Sequence, residues 1–102
     1  MPGFFEQAKK AMEMRNQMKR LQREIEEMTK EYSNGGVKVV VTGDMVVKSI
    51  EIADKSLLDP ATEEKLLRTF SENVNKALTL AKTEAQQRMQ ALTKELGLGG
   101  MM

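Results

Sequence analysis

Apolar residues return every seven positions over the first third of the chain, at Phe4, Ala11, Met18, Ile25 and Tyr32, with Met14, Leu21 and Met28 in the complementary places. Side chains three and four apart stack on one helix face, so this is a coiled-coil-like seam. It predicts a helix over about 3–32, entered near Pro2, where a missing amide costs little in a first turn. Ser33-Asn34-Gly35-Gly36 should stop it, the glycines supplying the positive φ that a helix C-terminus and a reversal need. The period then drops to two. Val37 to Thr42 and Met45 to Ile52 are rich in β-branched residues and flank Gly43-Asp44, which predicts a hairpin over about 37–52 with a two-residue turn. Pairing across that turn sets Val41 opposite Val46 and Val37 opposite Ile50. Val37, Val39, Val41, Val46, Ile50 and Ile52 then share one face, interrupted by Lys48 at a bend, while Val40, Met45 and Val47 lie on the other. After a connector over 53–58, Asp59-Pro60 reads as an N-cap with proline at the first helical position, and Glu63 and Glu64 suit the positive helix end. A second helix is predicted over about 60–96, with Leu67, Phe70, Val74, Ala77, Ala81, Ala85, Met89, Leu92 and Leu96 as its stripe; Gly97 ends it and 97–102 frays.

The order helix, hairpin, helix makes an α+β fold in a single domain of 102 residues. A compact domain of this size has a radius of gyration near ~13 Å, whereas a helix of about 30 residues runs roughly 45 Å. Such helices must project from the body or pair with another subunit. A lone hairpin is marginal in water and has edges to hide, so dimerisation through the sheet is the natural remedy.

The chain contains no Cys and no His, which removes disulfides, thiolate nucleophiles, imidazole bases and Cys/His metal clusters. Glu26 with Glu27 and Glu63 with Glu64 are sequence neighbours whose side chains diverge by about 100° on a helix, so neither pair can share a proton. Gly35, Gly36 and Gly43 belong to no phosphate-cradling motif. No enzyme, metal or cofactor is expected. No run reaches the ~18 apolar residues of a membrane span and no signal peptide opens the chain, so a cytoplasmic, non-membrane protein is expected.

Net charge is only +1, but its distribution is uneven. From position 9 to position 23 there are six basic residues, Lys9, Lys10, Arg15, Lys19, Arg20 and Arg23, against the single acid Glu13. Lys9, Lys19, Arg20 and Arg23 fall within an arc of roughly 100° opposite the seam. Later, Lys76, Lys82, Arg88 and Lys94 make the second half of helix two positive as well. Such a strip can neutralise phosphates and release their counterions. The competing reading is a solvated face, in which Lys9 with Glu13, Arg20 with Glu24 and Arg23 with Glu27 form weak i,i+4 pairs. Aromatic residues are confined to Phe4, Phe5, Tyr32 and Phe70, near seams or ends, so neither base readout nor single-strand stacking is indicated. Met12, Met14, Met18 and Met28 read as core or dimer seam.

Gly36-Val37-Lys38-Val39, the Thr42-Gly43 turn, Ile50-Glu51-Ile52, the Ser56-Leu57-Leu58 step and a first helix carrying Gln7, Lys9, Lys10, Met12, Met14, Gln17, Met18 and Gln22 resemble the YbaB/EbfC family of nucleoid-associated proteins. The resemblance covers nearly the whole chain. It implies a tweezer-like homodimer whose sheets pack together while helical arms project, binding double-stranded DNA with little sequence preference and affecting nucleoid organisation and gene expression. DNA contacts would then fall on Lys9, Lys10, Arg15, Lys19, Arg20 and Arg23 of helix one and on Lys82, Arg88 and Lys94 of helix two. Helix, hairpin, helix is also the order of a β-type prefoldin subunit. The alternative function is thus a chaperone or protein-interaction module with methionine-rich seams, which would suppress client aggregation without salt-sensitive DNA binding.

Overall fold

The computed structural model describes residues 3–97. The expected frayed tail therefore lies, apart from Gly97, outside the described residues, as does Pro2. Helix α1 spans Phe4–Glu27 and opens at Gly3. It stops short of the predicted Tyr32, because the chain turns extended at Met28 (φ −67°, ψ 151°) and Thr29–Asn34 forms a strand, β1. With β2 (Val37–Thr42) and β3 (Val47–Ile52) it makes a three-stranded antiparallel sheet in the order β1-β2-β3. The hairpin of the sequence reading is the second of two.

Gly35 and Gly36, at φ 64° and 86°, are the central residues of the tight turn that joins the paired Asn34 and Val37. Their positive φ serves a strand-to-strand reversal whose twist suits a hairpin, not a helix C-terminus. The second turn also differs from expectation. The Thr42 amide donates to the Val46 carbonyl at 2.8 Å and the Met45 amide donates to the Thr42 carbonyl at 3.1 Å, leaving a three-residue loop with Met45 in the left-handed region (φ 66°). Register consequently lies two residues from the predicted one, with Val37 opposite Ile52 and Val39 opposite Ile50. A shift of two preserves the faces, so Val37, Val39, Val41, Ile50 and Ile52 still point the same way. Val40 pairs with Ser49 and Val41 with Val47, which skips Lys48. The expected interruption there is a β-bulge that turns Val47 to the face of Val41, while Val46 closes the loop, 52% exposed.

Two short 3-10 turns follow, Lys55–Leu58 and Pro60–Thr62. The Asp54 carboxylate accepts from the Ser56 amide and hydroxyl, at 3.0 and 2.6 Å, and these bonds hold its pKa below the ordinary value. Asp59 accepts from the Ala61 amide, so the expected cap and its proline start a 3-10 turn, and helix α2 proper runs Glu63–Glu95. Glu63 and Glu64 sit in its first turn and Lys94 in its last, as the helix dipole favours. The core is small: Val37, Val39 and Val41 pack with Leu57, Ala77 and Ala81. Two alanines one turn apart let α2 approach the sheet closely. Between them and the β1–β2 turn lies Asn73, 1% exposed, whose side-chain amide donates to the Asn34 and Val37 carbonyls at 2.8 Å each. Leu66, Val74, Leu78, Tyr32 and Ile52 complete the packing. Leu67 and Phe70, expected in the stripe, are 59% and 37% exposed.

The molecule is elongated, 74 × 21 × 14 Å with a radius of gyration of 20.2 Å. No residue of α1 is buried. Of the two outcomes that helix length leaves, projection or pairing with another subunit, α1 shows projection, whereas the inner half of α2 packs on the sheet.

Candidate nucleic-acid interface

Helix α1, 24 residues long and so about 36 Å at ~1.5 Å per residue, is fixed to the body only at its inner end. The Gly43 amide donates to the Met28 carbonyl at 3.1 Å. A side chain at Gly43 would run directly into the Ile25 carbonyl, so a glycine is what lets the turn lie against the last coils of the helix. From there the arm runs antiparallel to the outer half of α2. One cleft between them, about 440 Å³, is lined by Gln17, Arg20, Leu21, Glu24, Arg88, Ala91, Leu92 and Glu95. A second, about 660 Å³ and mostly apolar, includes Met18, Ile25, Met45, Lys82, Ala85 and Met89. Residues 17–25 of α1 therefore face 82–95 of α2, and the first turns of α1 extend past this paired stretch.

The pairing explains the fate of the heptad seam. Leu21, Ile25 and Met28 are half-buried against the second helix or the hairpin, and Met14 is half-buried further out. Met18 is 37% exposed, Met12 65%, Phe4 82% and Phe5 85%. Met12 therefore belongs to no core.

Lys9, Lys10, Arg15, Lys19, Arg20 and Arg23 are all exposed. Among the described residues the ion pairs are Lys30 with Glu84, Lys38 with Glu31 and Arg88 with Glu84, at 2.8, 3.2 and 3.2 Å. None involves a cation of α1. The i,i+4 partners that the solvated-face reading required, Glu13, Glu24 and Glu27, do not engage them, so the strip presents its full charge to solvent. Helix two is less uniform. Lys82 and Lys94 are exposed, but Arg88 is half-buried and donates to Glu84. The clefts bring Arg20 next to Arg88 on one side of the arm and put Lys82 on the other, while Lys9 and Lys10 stand apart nearer the tip.

Glu84 is the acid that the sequence sets among Lys76, Lys82 and Arg88, but its pairing with Lys30 is not legible there, because Lys30 lies in the stretch that periodicity assigns to helix one. The Lys30 ammonium donates to its carboxylate and holds its pKa below the ordinary value; desolvation opposes this, and the charges of Lys30 and Arg88 add to it. This group ties β1 to the base of the outer half of α2. Asn73 was equally hidden, since an asparagine inside a helical stripe carries no local mark of burial.

No described helix is long and apolar enough to cross a membrane, and no cluster of three metal-ligating side chains occurs among the described residues. An elongated chain with a small core and a row of unpaired cations on one arm suits the contacting of a polyanion. Similarity to known proteins points the same way. A nucleoid-associated protein of Nitrobacter hamburgensis is 36% identical over 100 residues, which cover 96% of this chain and 93% of the relative. One of Pelotomaculum thermopropionicum is 38% identical over 95 residues, covering 91% and 90% of the two chains, and one of a Synechococcus species is 36% identical over 99 residues, covering 94% and 86%. The model of a family of DNA-binding proteins, not enzymes, matches residues 1–96, and with it the chain belongs to the YbaB/EbfC DNA-binding family.

Proposed function

We propose that two copies of this chain join through their sheets and hold the α1–α2 arms outward to grip double-stranded DNA, with little sequence preference, as a nucleoid-associated protein of the cytoplasm. One observation carries the reading: six cations of α1 stand exposed with no ion-pair partner among the described residues. Each is free to replace a counterion at a phosphate. Arg15, Lys19, Arg20 and Arg23 supply the middle of the grip, Lys9 and Lys10 its outer end, and Lys82 and Lys94 add charge from α2. Arg88 contributes mainly by closing the cleft beside Arg20. Backbone contacts of this kind fix position without reading bases, which is why the arms would act along any duplex and influence nucleoid organisation and transcription broadly.

The dimer is supported by what a single copy leaves uncovered. Its accessible surface of 7809 Å² exceeds the about 5,800 Å² of a compact protein of this mass. The surplus is of the order that a permanent dimer buries. β3 is an edge strand, and Val46, Val47, Ile50, Leu67 and Phe70 are all more than a third exposed.

Electrophoretic mobility shifts on an arbitrary duplex at several salt concentrations test the DNA reading. Affinity should fall with salt at about 0.9 log units per log unit for each phosphate contact. A variant with Lys9, Lys19, Arg20 and Arg23 all changed to Glu should lose binding; undiminished affinity in that variant refutes the proposal.

A further inference from the structure

We propose that Phe4 and Phe5 form an apolar wedge at the tip of each arm that enters the minor groove of the bound duplex and unstacks a base step, so that the protein kinks the DNA it holds. The inference rests on the DNA-binding reading above and adds a deformation to it.

Phe4 and Phe5 are the most exposed large apolar side chains described, at 82% and 85%, and they contact each other edge to face with ring centroids 6.5 Å apart. Among the described residues nothing folds back over them. Phe4 lies 21 residues of continuous helix before Ile25, about 30 Å at ~1.5 Å per residue, and Ile25 is where the hairpin begins to pack on α1. Two bare aromatic rings on a rigid rod are therefore presented outward.

Their neighbours select the occupant. Lys9 and Lys10 follow within two turns, exposed and without an ion-pair partner among the described residues, and Glu6 is the one acid of that first turn. Phe5 and Lys9, four residues apart, share one helix face, so an apolar protein surface laid over the Phe5 ring would desolvate the Lys9 ammonium beside it. A duplex supplies both requirements together. The axial step from Phe5 to Lys9 on that shared face is about 6 Å, so a ring inserted in a groove about 6 Å wide leaves the Lys9 stem positioned to reach a phosphate at its lip. Apolar wedges flanked by cations unstack a step and bend the duplex toward the major groove, and the distortion is easiest at flexible pyrimidine–purine steps.

The test uses the full chain and a short duplex carrying end-placed fluorophores and a 2-aminopurine beside a central TA step. Wild-type protein should shorten the end-to-end distance and raise 2-aminopurine fluorescence. Phe4→Ser/Phe5→Ser removes only exposed side chains, so it should fold and sediment as wild type does. Its salt slope should be unchanged to within one phosphate contact, about 0.9, with affinity about tenfold weaker, equivalent to ~1.4 kcal/mol, and with both distortion signals lost. Lys9→Gln/Lys10→Gln should do the reverse, lowering the slope by about 1.8 while bound complexes remain bent. Equal bending by the phenylalanine variant overturns the wedge while leaving DNA binding intact. A changed sedimentation coefficient in that variant overturns it in favour of a second copy covering the rings. Failure of wild type to bind the duplex even in dilute salt removes the parent reading itself.

Discussion

Asn73 holds the first hairpin to α2 with a single side chain. Its two donors serve the carbonyls of Asn34 and Val37, the residues that flank the Gly35-Gly36 turn, in a site 1% exposed. Removing the amide strands buried acceptors, which costs more than the net worth of the bonds themselves. Asn73→Ala should therefore destabilise by about 2 kcal/mol, seen as a lower urea midpoint at unchanged slope. Glu84 is the other long-range tie, and here the expectation is a pH dependence. A carboxyl whose native pKa is depressed stabilises the fold fully above its ordinary range and gives that stability up as pH falls through the depressed value. Since the Lys30 hydrogen bond depresses Glu84, wild type should lose stability on acidification below the ordinary glutamate range. Glu84→Gln should flatten that part of a urea-midpoint profile, whereas an unchanged profile would detach Glu84 from the acid limb.

At the scale of elements, the decisive contact is between the second hairpin turn and the end of α1. Gly43 leaves no room for a side chain beside the Ile25 carbonyl, and its amide holds the Met28 carbonyl. Gly43→Ala must push the turn and the helix apart, at a cost of about 1–3 kcal/mol as in other overpacked sites. Because that contact sets the angle at which the arm leaves the body, spin labels placed on α1 and on the sheet should report a changed distance, and a variant with wild-type stability and distance would refute this role. The boundary between α1 and β1 was the least legible part of the sequence. Tyr32 continues the heptad of Ile25 and Met18, which pulled the helix on to position 32. Thr29 to Asn34 holds Tyr32 as its one apolar residue and so carries no period of two, although Asn34-Gly35-Gly36 is a strong hairpin signal. Both readings bury Tyr32. The strand prevails because it pairs β2 on its second side and lets Lys30 reach Glu84, gains that the local pattern does not contain. The three-residue second loop had the same origin: Gly43-Asp44 marked a turn, and only closure against α1 and the cleft around Met45 set its length.

For the whole molecule, a core of six small or medium apolar side chains supports a body from which an arm extends over about half of the 74 Å length. The proposed dimer is what gives β3, Leu67 and Phe70 cover. Sedimentation should give about twice the 11.5 kDa chain mass. Ile50→Glu/Phe70→Glu, at positions already 39% and 37% exposed, should yield a folded single copy with markedly weaker duplex binding, since two arms on one scaffold gain from effective concentration. A double variant that remains dimeric would move the interface elsewhere on the surface.

The sequence by itself determined the order of helices and hairpin, the buried face of β2, the position of the bulge at Lys48 and the bias of positive charge toward α1, because each is written in local spacing: period 3.6, period 2, glycine at reversals, like charges on one arc. Three features were decided by the tertiary structure. Where α1 gives way to a strand, which carboxylate meets Lys30 and Arg88, and which stripe residues stay exposed all depend on contacts between segments tens of residues apart. Such contacts carry free energies comparable to a local propensity and can overrule it, and the exposed rings of Phe4 and Phe5 became significant only once the helix was seen to run on past its partner.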